Sequence, residues 1–216
     1  MKYSILLLLS VLFLTTGLSA QNEKMTDKQA MSILDRFSSA ATSAPSVSIK
    51  FKLITDDQLE KTTETIEGSV ILSKNSYRLD LPDNIIWYNG DVSWSYLPAE
   101  KEVTITKPDK KDNSFQSKPS AIFNMHKNGY RARLIEEKPD SYVIDLYPED
   151  IKSDLIRVRL AISKPALSMK SLEYKRKDGI TLLLNVTDYN LKQAVDAATF
   201  SFVPEKYKGV DIIDMR

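Results

Sequence analysis

Apolar and polar residues alternate through most of this chain, and that period of two constrains the fold more than any other feature. Ile49, Phe51 and Leu53 fall on one face of a strand, whereas Lys50 and Lys52 fall on the other. Further strands are predicted at residues 62–73, 77–81, 92–96, 103–105, 130–136, 141–147, 155–163, 169–176, 180–191, 200–202 and 210–213. Strands that are apolar on one face only are typical of an antiparallel sheet with one solvated face.

Short turn signals fix how several of these strands are joined. Asn89-Gly90 is the strongest hairpin signal in the chain, and Lys177-Asp178-Gly179 is a second one. A further turn at residues 98–101 makes residues 85–107 a meander of three consecutive strands.

Two helical segments accompany the strands. Residues 26–42 are predicted to form a helix, with Thr26 as its cap and Pro45 beyond its end. Its apolar stripe consists of Ala30, Ile33, Leu34, Phe37 and Ala41. A polar loop at residues 107–118 precedes a short helix at residues 119–126, which carries Ile122, Phe123 and Met125.

About eleven strands and two helical pieces in one domain predict a mainly β (α+β) fold. So many strands form a strongly curled sheet or partial barrel, with the helices against its concave face.

The N-terminus is predicted to be an export signal. Residues 1–20 combine Lys2, an apolar run at residues 5–14 and a small-residue exit at residues 17–20. The apolar run is about half of the roughly 20 residues that span a bilayer, so we predict cleavage after Ala20 and a single mature domain at residues 21–216. Because the chain has no cysteine, we expect neither a lipid anchor nor disulfides.

The charge balance argues against nucleic acid as a partner. Removing Lys2 from the 30 basic residues leaves 29 against 29 acidic ones, so the mature net charge is about zero.

No catalytic, cofactor or metal motif is visible. His126 is the only histidine, and no cysteine is available for a transition-metal site. We interpret His126 as a surface or helix-terminal histidine, because no nucleophile motif accompanies it. We therefore expect a protein that is not an enzyme and that has no cofactor.

Aromatic residues concentrate around one hairpin, where Trp87, Tyr88, Trp94 and Tyr96 flank Asn89-Gly90. Core packing explains such a set, because aromatic side chains favour strands and dominate cores. A single curled sheet offers a second explanation, because its concave face needs helices or a ligand to exclude water.

Three stretches resemble the periplasmic LolA-type outer-membrane lipoprotein carriers. They are residues 68–78, which lead from Gly68 through an alternating strand to Tyr77-Arg78; residues 89–98, with Trp94-Ser95-Tyr96-Leu97-Pro98 after the turn; and residues 195–214, with Phe200 to Pro204 and Gly209 to Asp214. The resemblance covers most of the mature chain.

That resemblance implies an incomplete antiparallel β-barrel with a helical lid, whose apolar interior shields the acyl chains of lipoproteins. It also implies a monomer in the periplasm. An inner-membrane lipoprotein-releasing ABC transporter would load it, and an outer-membrane acceptor is a possible second partner. Within this frame, the hypothesis is that lid residues Phe37, Ile122 and Phe123 oppose the sheet residues Phe51, Trp87, Trp94 and Tyr96 around the cargo. Lys74, which replaces an arginine common in the family, is predicted to hold the lid shut, although lysine lacks the planar fork of arginine.

Two alternatives stay open. One is a paralogous periplasmic domain that binds or senses a different amphiphilic ligand. The other is a hydrolase with an unrecognised site that uses His126.

Overall fold

The computed structural model describes residues 15–108 and 118–216. Within them it contains one α-helix, twelve strands and four short 3₁₀ turns. The helix is α1 (Thr15–Ser43), and the strands in chain order are β1 (Val47–Asp57), β2 (Thr62–Ser73), β3 (Ser76–Asp80), β4 (Ile85–Tyr88), β5 (Ser93–Leu97), β6 (Glu102–Thr106), β7 (Tyr130–Glu137), β8 (Ser141–Pro148), β9 (Leu155–Ser163), β10 (Met169–Arg176), β11 (Ile180–Asn190) and β12 (Asp211–Asp214). The 3₁₀ turns are Pro119–Phe123, Met125–Lys127, Ala197–Phe200 and Pro204–Lys206.

All twelve strands belong to one strongly curled sheet that does not close on itself. Their order is β12-β6-β5-β4-β3-β2-β1-β11-β10-β9-β8-β7, so β12 and β7 form the two edges. The long strands β1 and β11 pair with each other and join the two halves of the chain. The prediction of an incomplete β-barrel is confirmed.

The alternation predicted most strands well. The bounds of β2, β9 and β10 coincide with the predicted ranges, and residues 85–107 form the expected meander of β4, β5 and β6. Burial alternates along β9 as the sequence pattern requires, with Val158, Leu160 and Ile162 buried on one face.

Two predictions about the C-terminal region are wrong. Residues 200–202 form no strand, because Asp196 and Thr199 make a capping box that starts the 3₁₀ turn Ala197–Phe200. The Thr199 amide donates to Asp196 Oδ1 at 2.8 Å, and the Asp196 amide donates to Thr199 Oγ1 at 3.2 Å. In addition, β12 pairs with β6 in parallel, whereas every strand was predicted to be antiparallel.

The predicted helix start at Thr26 is also wrong, because α1 begins at Thr15. No proline lies between these two residues, and a single glycine, Gly17, costs only about 1 kcal/mol in a helix. The apolar run of the predicted export signal, residues 5–14, lies outside the described residues, as do residues 109–117 of the predicted polar loop. None of the helical segments in residues 15–108 and 118–216 combines the length and the apolar character needed to cross a membrane.

The main core lies between α1 and the concave face of the sheet. It is an interior cluster of buried side chains from α1, from the turn Pro119–Phe123 and from strands of both halves of the sheet. The predicted stripe of α1 supplies Ala30, Ile33, Leu34, Phe37 and Ala41, none of which is more than 4% exposed. The helix therefore lies on the concave face as a lid, with the turn Pro119–Phe123 beside it.

Gly68 on β2 makes room for an aromatic ring of the core. It pairs directly with Phe51 on β1, and a β-carbon added there would lie 2.8 Å from Phe51 Cζ and 2.9 Å from Leu81 Cδ2. Such distances are too short for carbon atoms, so any larger residue has to displace the ring.

We expect Gly68→Ala to lower the free energy of unfolding by about 1–3 kcal/mol because it overpacks this contact. Urea unfolding measures the change, and Ser69→Ala on the same strand is the control. An unchanged midpoint for Gly68→Ala would show that the ring of Phe51 moves freely.

Candidate functional site

The interior cluster brings together four of the predicted cargo-binding residues. Phe37 on α1, Phe51 on β1, and Ile122 and Phe123 on the 3₁₀ turn are each at most 5% exposed within that cluster. The rings of Phe37 and Phe123 have centroids 5.6 Å apart at an interplanar angle of 57°. A role for these four residues in binding cargo stays a prediction.

The structure does not bring Trp87, Trp94 and Tyr96 to α1. Trp87 and Trp94 pair directly across β4 and β5, on the face opposite to the interior cluster. There they belong to a second cluster, which we call the outer aromatic cluster; its other members are Ile85, Tyr96, Val103, Ile105, Phe202, Tyr207 and Val210. Their role in cargo binding stays a prediction.

The C-terminal segment covers this outer aromatic cluster. Tyr207 has its ring 4.9 Å from that of Tyr96, 5.0 Å from that of Phe202 and 5.6 Å from that of Trp87. From the neighbouring strand β3, the guanidinium of Arg78 lies 5.6 Å from the centre of the Trp87 ring. Contacts of this kind are favourable packing within the protein itself.

Lys74 lies at the tip of the turn between β2 and β3. Its backbone has a φ of +50°, and the residue is exposed. Within residues 15–108 and 118–216, its side chain makes no hydrogen bond or ion pair. The role of Lys74 as the lid-closing contact stays a prediction.

Within the described side chains, three contacts link α1 to the segment that contains the 3₁₀ turns and β7. Ser38 Oγ donates to Asn124 Oδ1 at 2.8 Å, and His126 Nε2 lies 3.1 Å from Asp35 Oδ1. Farther towards the N-terminus, Gln29 Nε2 donates to Glu137 Oε2 at 3.3 Å. These contacts all lie on one side of the helix, along the β7 edge of the sheet.

His126 is buried, with a side chain only 1% exposed, so of the two predicted locations, surface or helix-terminal, the surface one is wrong. It lies in the turn Met125–Lys127, which places its ring beneath α1. Sequence reasoning missed this contact and the one at Ser38. Ser38 follows Leu34 by four residues, so a hydroxyl at a stripe position was the available signal.

The chain that leaves α1 is held firmly to the sheet. Ser73 Oγ on β2 donates to the Pro45 carbonyl at 2.9 Å, and Ser46 Oγ donates to the Gln193 carbonyl. Because Pro45 and Ser46 closely follow the helix, these bonds fix the C-terminal end of α1. The rest of the helix is held to the sheet by apolar contacts and by the three side-chain contacts described above.

The apolar concave face extends beyond the part that α1 covers. We call this extension the apolar shelf; it consists of Leu53, Ile66, Leu155, Tyr174 and Leu182, all half-buried. The shelf is continuous with the core, since Leu53 pairs with both Leu184 and Ile66, and Leu182 pairs with Tyr174. The shelf therefore adjoins the interior that α1 covers.

Two surface depressions are open to solvent. One, of about 560 Å³, runs along α1 between Asp27 and Arg36, and the other, of about 550 Å³, lies beside Gly68 on β1, β2 and β3. The interior itself is filled by the stripe of α1.

One buried hydroxyl in the interior has no partner. Tyr189 Oη on β11 is inaccessible and unbonded within the described residues, and burial raises the pKa of the Tyr189 phenol. An unsatisfied buried hydroxyl costs about 1–3 kcal/mol.

We expect Tyr189→Phe to raise the free energy of unfolding by about 1 kcal/mol, because it removes that unpaired group and keeps the ring. Tyr88→Phe is the matched control, since Tyr88 Oη donates to the Gly90 carbonyl at 2.9 Å and its loss should destabilise the protein. Urea unfolding compares the two variants, and a destabilised Tyr189→Phe would show that this hydroxyl has a partner in solution.

A comparison with protein families matches residues 18–179 to the family described as "Outer membrane lipoprotein carrier protein LolA". The chain belongs to the LolA family. Its matched region contains α1 from residue 18 onward, both central 3₁₀ turns and β1 to β10, whereas β11 and the C-terminal segment lie beyond it. A comparison with curated proteins returns no match.

A comparison with solved structures shows which of them this LolA-family chain is similar to. An uncharacterized conserved protein from Thermus thermophilus superposes with a TM-score of 0.55 at 14% identity, covering 86% of this chain and 99% of that one. A LolA superfamily protein from Nitrosomonas europaea gives a TM-score of 0.42 at 13% identity, covering 80% and 97%.

Proposed function

We propose that this LolA-family chain is a periplasmic carrier that binds the acyl chains of lipoproteins and moves them from the inner to the outer membrane. The observation that supports this most is the interior: one helix covers a continuous apolar sheet face, and the apolar shelf beside that helix stays half-exposed. Such a face binds hydrocarbon once the helix is displaced.

The energies of the helix and of an acyl chain are of the same order. Burying a palmitoyl-length chain of about 15 methylenes contributes roughly 12 kcal/mol. Exposing the stripe of α1, with its Ile, Leu, Phe and two Ala side chains, costs roughly 8 kcal/mol. Because these terms nearly balance, cargo and helix exchange without either state being too stable to leave.

The polar contacts of α1 support the same exchange. The bonds of Ser38 and Gln29 and the contact between Asp35 and His126 contribute on the order of 1 kcal/mol each. The bonds at Pro45 and Ser46 retain the C-terminal end of the helix, so residues 43–46 act as the hinge. In this proposal α1 opens as a lid and stays attached to the sheet.

Location and partners follow from the same proposal. The predicted export signal places the protein in the periplasm, and cleavage after Ala20 would leave intact every α1 residue that packs in the interior cluster. An inner-membrane lipoprotein-releasing ABC transporter supplies the cargo, and the outer membrane or an acceptor there receives it.

Binding of defined acyl ligands tests the proposal. The mature protein is titrated with a triacylated lipopeptide and with the same peptide lacking its acyl chains, while displacement of an environment-sensitive fluorescent fatty acid is recorded. We expect saturable binding of the acylated peptide alone. Equal behaviour of the two peptides would contradict a site for acyl chains.

The same titration separates the alternative function. A domain that binds or senses another amphiphile is expected to take up free phospholipid or fatty acid and to leave the lipopeptide unbound. Mass spectrometry of lipids and acylated proteins that co-purify from the native periplasm identifies which class the protein carries.

A further inference from the structure

Two tyrosine hydroxyls face the apolar interior at the end where the shelf lies. Tyr130 begins β7 and Tyr174 lies near the end of β10, and both rings pack against the interior cluster. Between them the concave face is lined by Val158 and Leu146, which are fully buried and paired with each other. The two rings therefore lie on the same apolar face, with Val158 and Leu146 between their strands.

Neither hydroxyl has a hydrogen-bond partner within residues 15–108 and 118–216. Unlike Tyr189 Oη, they are not among the inaccessible unpaired atoms, so a ligand on the shelf can reach them. Burial raises the pKa of both phenols, and the neighbouring Tyr130 adds to the shift of Tyr174. Both groups therefore remain neutral hydrogen-bond donors at physiological pH.

Among the described strand residues around Tyr130 and Tyr174, the charged side chains alternate away from the concave face. Arg131 follows Tyr130, Glu173 precedes Tyr174 and Arg157 precedes Val158, so each of these charged side chains projects from the opposite face. Arg157 indeed pairs with Glu173 there at 2.7 Å. The site thus suits a neutral acceptor better than an anion.

We propose that Tyr130 and Tyr174 donate hydrogen bonds to the carbonyl oxygens of the acyl ester or amide groups by which the cargo's chains are attached. This inference rests on the proposed carrier function and refines it: the site recognises the acyl linkage, while the interior takes the hydrocarbon. A carbonyl left unbonded in this apolar setting would lose the partner that water provides, which is costly.

The test compares ligands that differ only in that carbonyl. Binding of dipalmitoyl phosphatidylglycerol is measured against its dihexadecyl ether counterpart, and an N-palmitoyl peptide serves as the amide arm. The variants are Tyr130→Phe, Tyr174→Phe and the double variant, each of which keeps the ring and therefore the packing. Tyr189→Phe is the control, because it also removes a buried tyrosine hydroxyl but far from the proposed site. Tyr174 pairs with Leu182 of β11, and Tyr189 lies seven residues farther along that strand, about 23 Å from Leu182.

We expect the double variant to bind the ester lipid about tenfold more weakly, with the ether lipid unaffected, since each lost bond is modest. A matching loss for the amide arm shows that the acyl carbonyl is the shared acceptor, whereas a loss for one arm alone assigns the site to that linkage. Equal losses for ester and ether, or no loss for any carbonyl ligand, would overturn the inference. Wild-type protein that binds none of the three ligands would instead overturn the carrier function itself, and the inference with it.

Discussion

Cross-linking α1 to the 3₁₀ segment is expected to abolish acyl-chain binding. Ser38 Oγ and Asn124 Oδ1 are 2.8 Å apart, so cysteines at these two positions can be joined by a short bifunctional thiol-reactive reagent, such as a bis-alkyl bromide, which forms two thioethers and releases two bromides. The chain has no cysteine of its own, so these are the only thiols that react. With α1 fixed, its apolar stripe continues to fill the interior and the cargo cannot displace it. Displacement of a fluorescent fatty acid measures the loss.

A second cross-link provides the matched control. Lys52 and Glu67 pair directly across β1 and β2 and form an ion pair at 3.0 Å, with both side chains more than half exposed. Cysteines there join two strands that are already hydrogen-bonded, so binding should be retained. A reducible form of the Ser38–Asn124 link should also restore binding after reduction. If the linked protein binds as well as the unlinked one, α1 is not a lid.

Phe37→Ala is expected to lower the free energy of unfolding by about 3–5 kcal/mol and, at the same time, to raise the affinity for acyl ligands several-fold. Phe37 is fully buried against Phe123, so its loss leaves a cavity beneath α1. The cargo-free state, with α1 on the sheet, loses the packing of a whole ring. The cargo-bound state loses only the contact between that ring and the cargo, so the balance shifts towards binding. Urea unfolding and ligand titration measure the two quantities.

Two control variants separate these effects. Phe202→Ala removes a ring of similar burial from the outer aromatic cluster, so stability should fall while affinity stays unchanged. Phe37→Leu keeps most of the packing and provides a folded protein for binding if the alanine variant is too unstable. An affinity that falls for both Phe37 variants would show that the helix does not compete with the cargo.

The period of two was enough to predict most of the sheet. It works because one face of each strand is buried, so alternation assigns residues 158–162 of β9 to their faces. Strand order was not predicted, since pairing of β1 with β11 depends on contacts between residues far apart in the chain. The parallel pairing of β12 with β6 depends in the same way on the path of the C-terminal segment.

The sequence predicted only part of the site, because the inward face of each strand depends on contacts between residues far apart in the chain. Trp87 and Ile86 are neighbours on β4 and face opposite ways, and the location of the helix decides which face is concave. Ile86 lies in the interior cluster, and Trp87 lies beneath Phe202 and Tyr207, more than a hundred residues away in sequence. Only the tertiary structure shows that this second apolar face is covered by the chain's own C-terminal segment.

Polar residues near the lid carry the weakest signals in the sequence. His126 carries no motif, and its role became visible only when Asp35 of α1 was found 3.1 Å from its ring. Tyr130 and Tyr174 likewise look like ordinary strand residues in sequence, because tyrosine is common in strands. Their lack of partners is a property of the folded interior.

The most direct test of the carrier function is release of lipoproteins from the inner membrane. Spheroplasts labelled with radioactive palmitate are incubated with the mature protein, and the supernatant is fractionated by size. The proposed function predicts labelled lipoprotein in a soluble one-to-one complex with the protein, and none when α1 is cross-linked at Ser38 and Asn124. Labelled lipoprotein that stays entirely with the spheroplasts, from a protein folded and free of the cross-link, would contradict it.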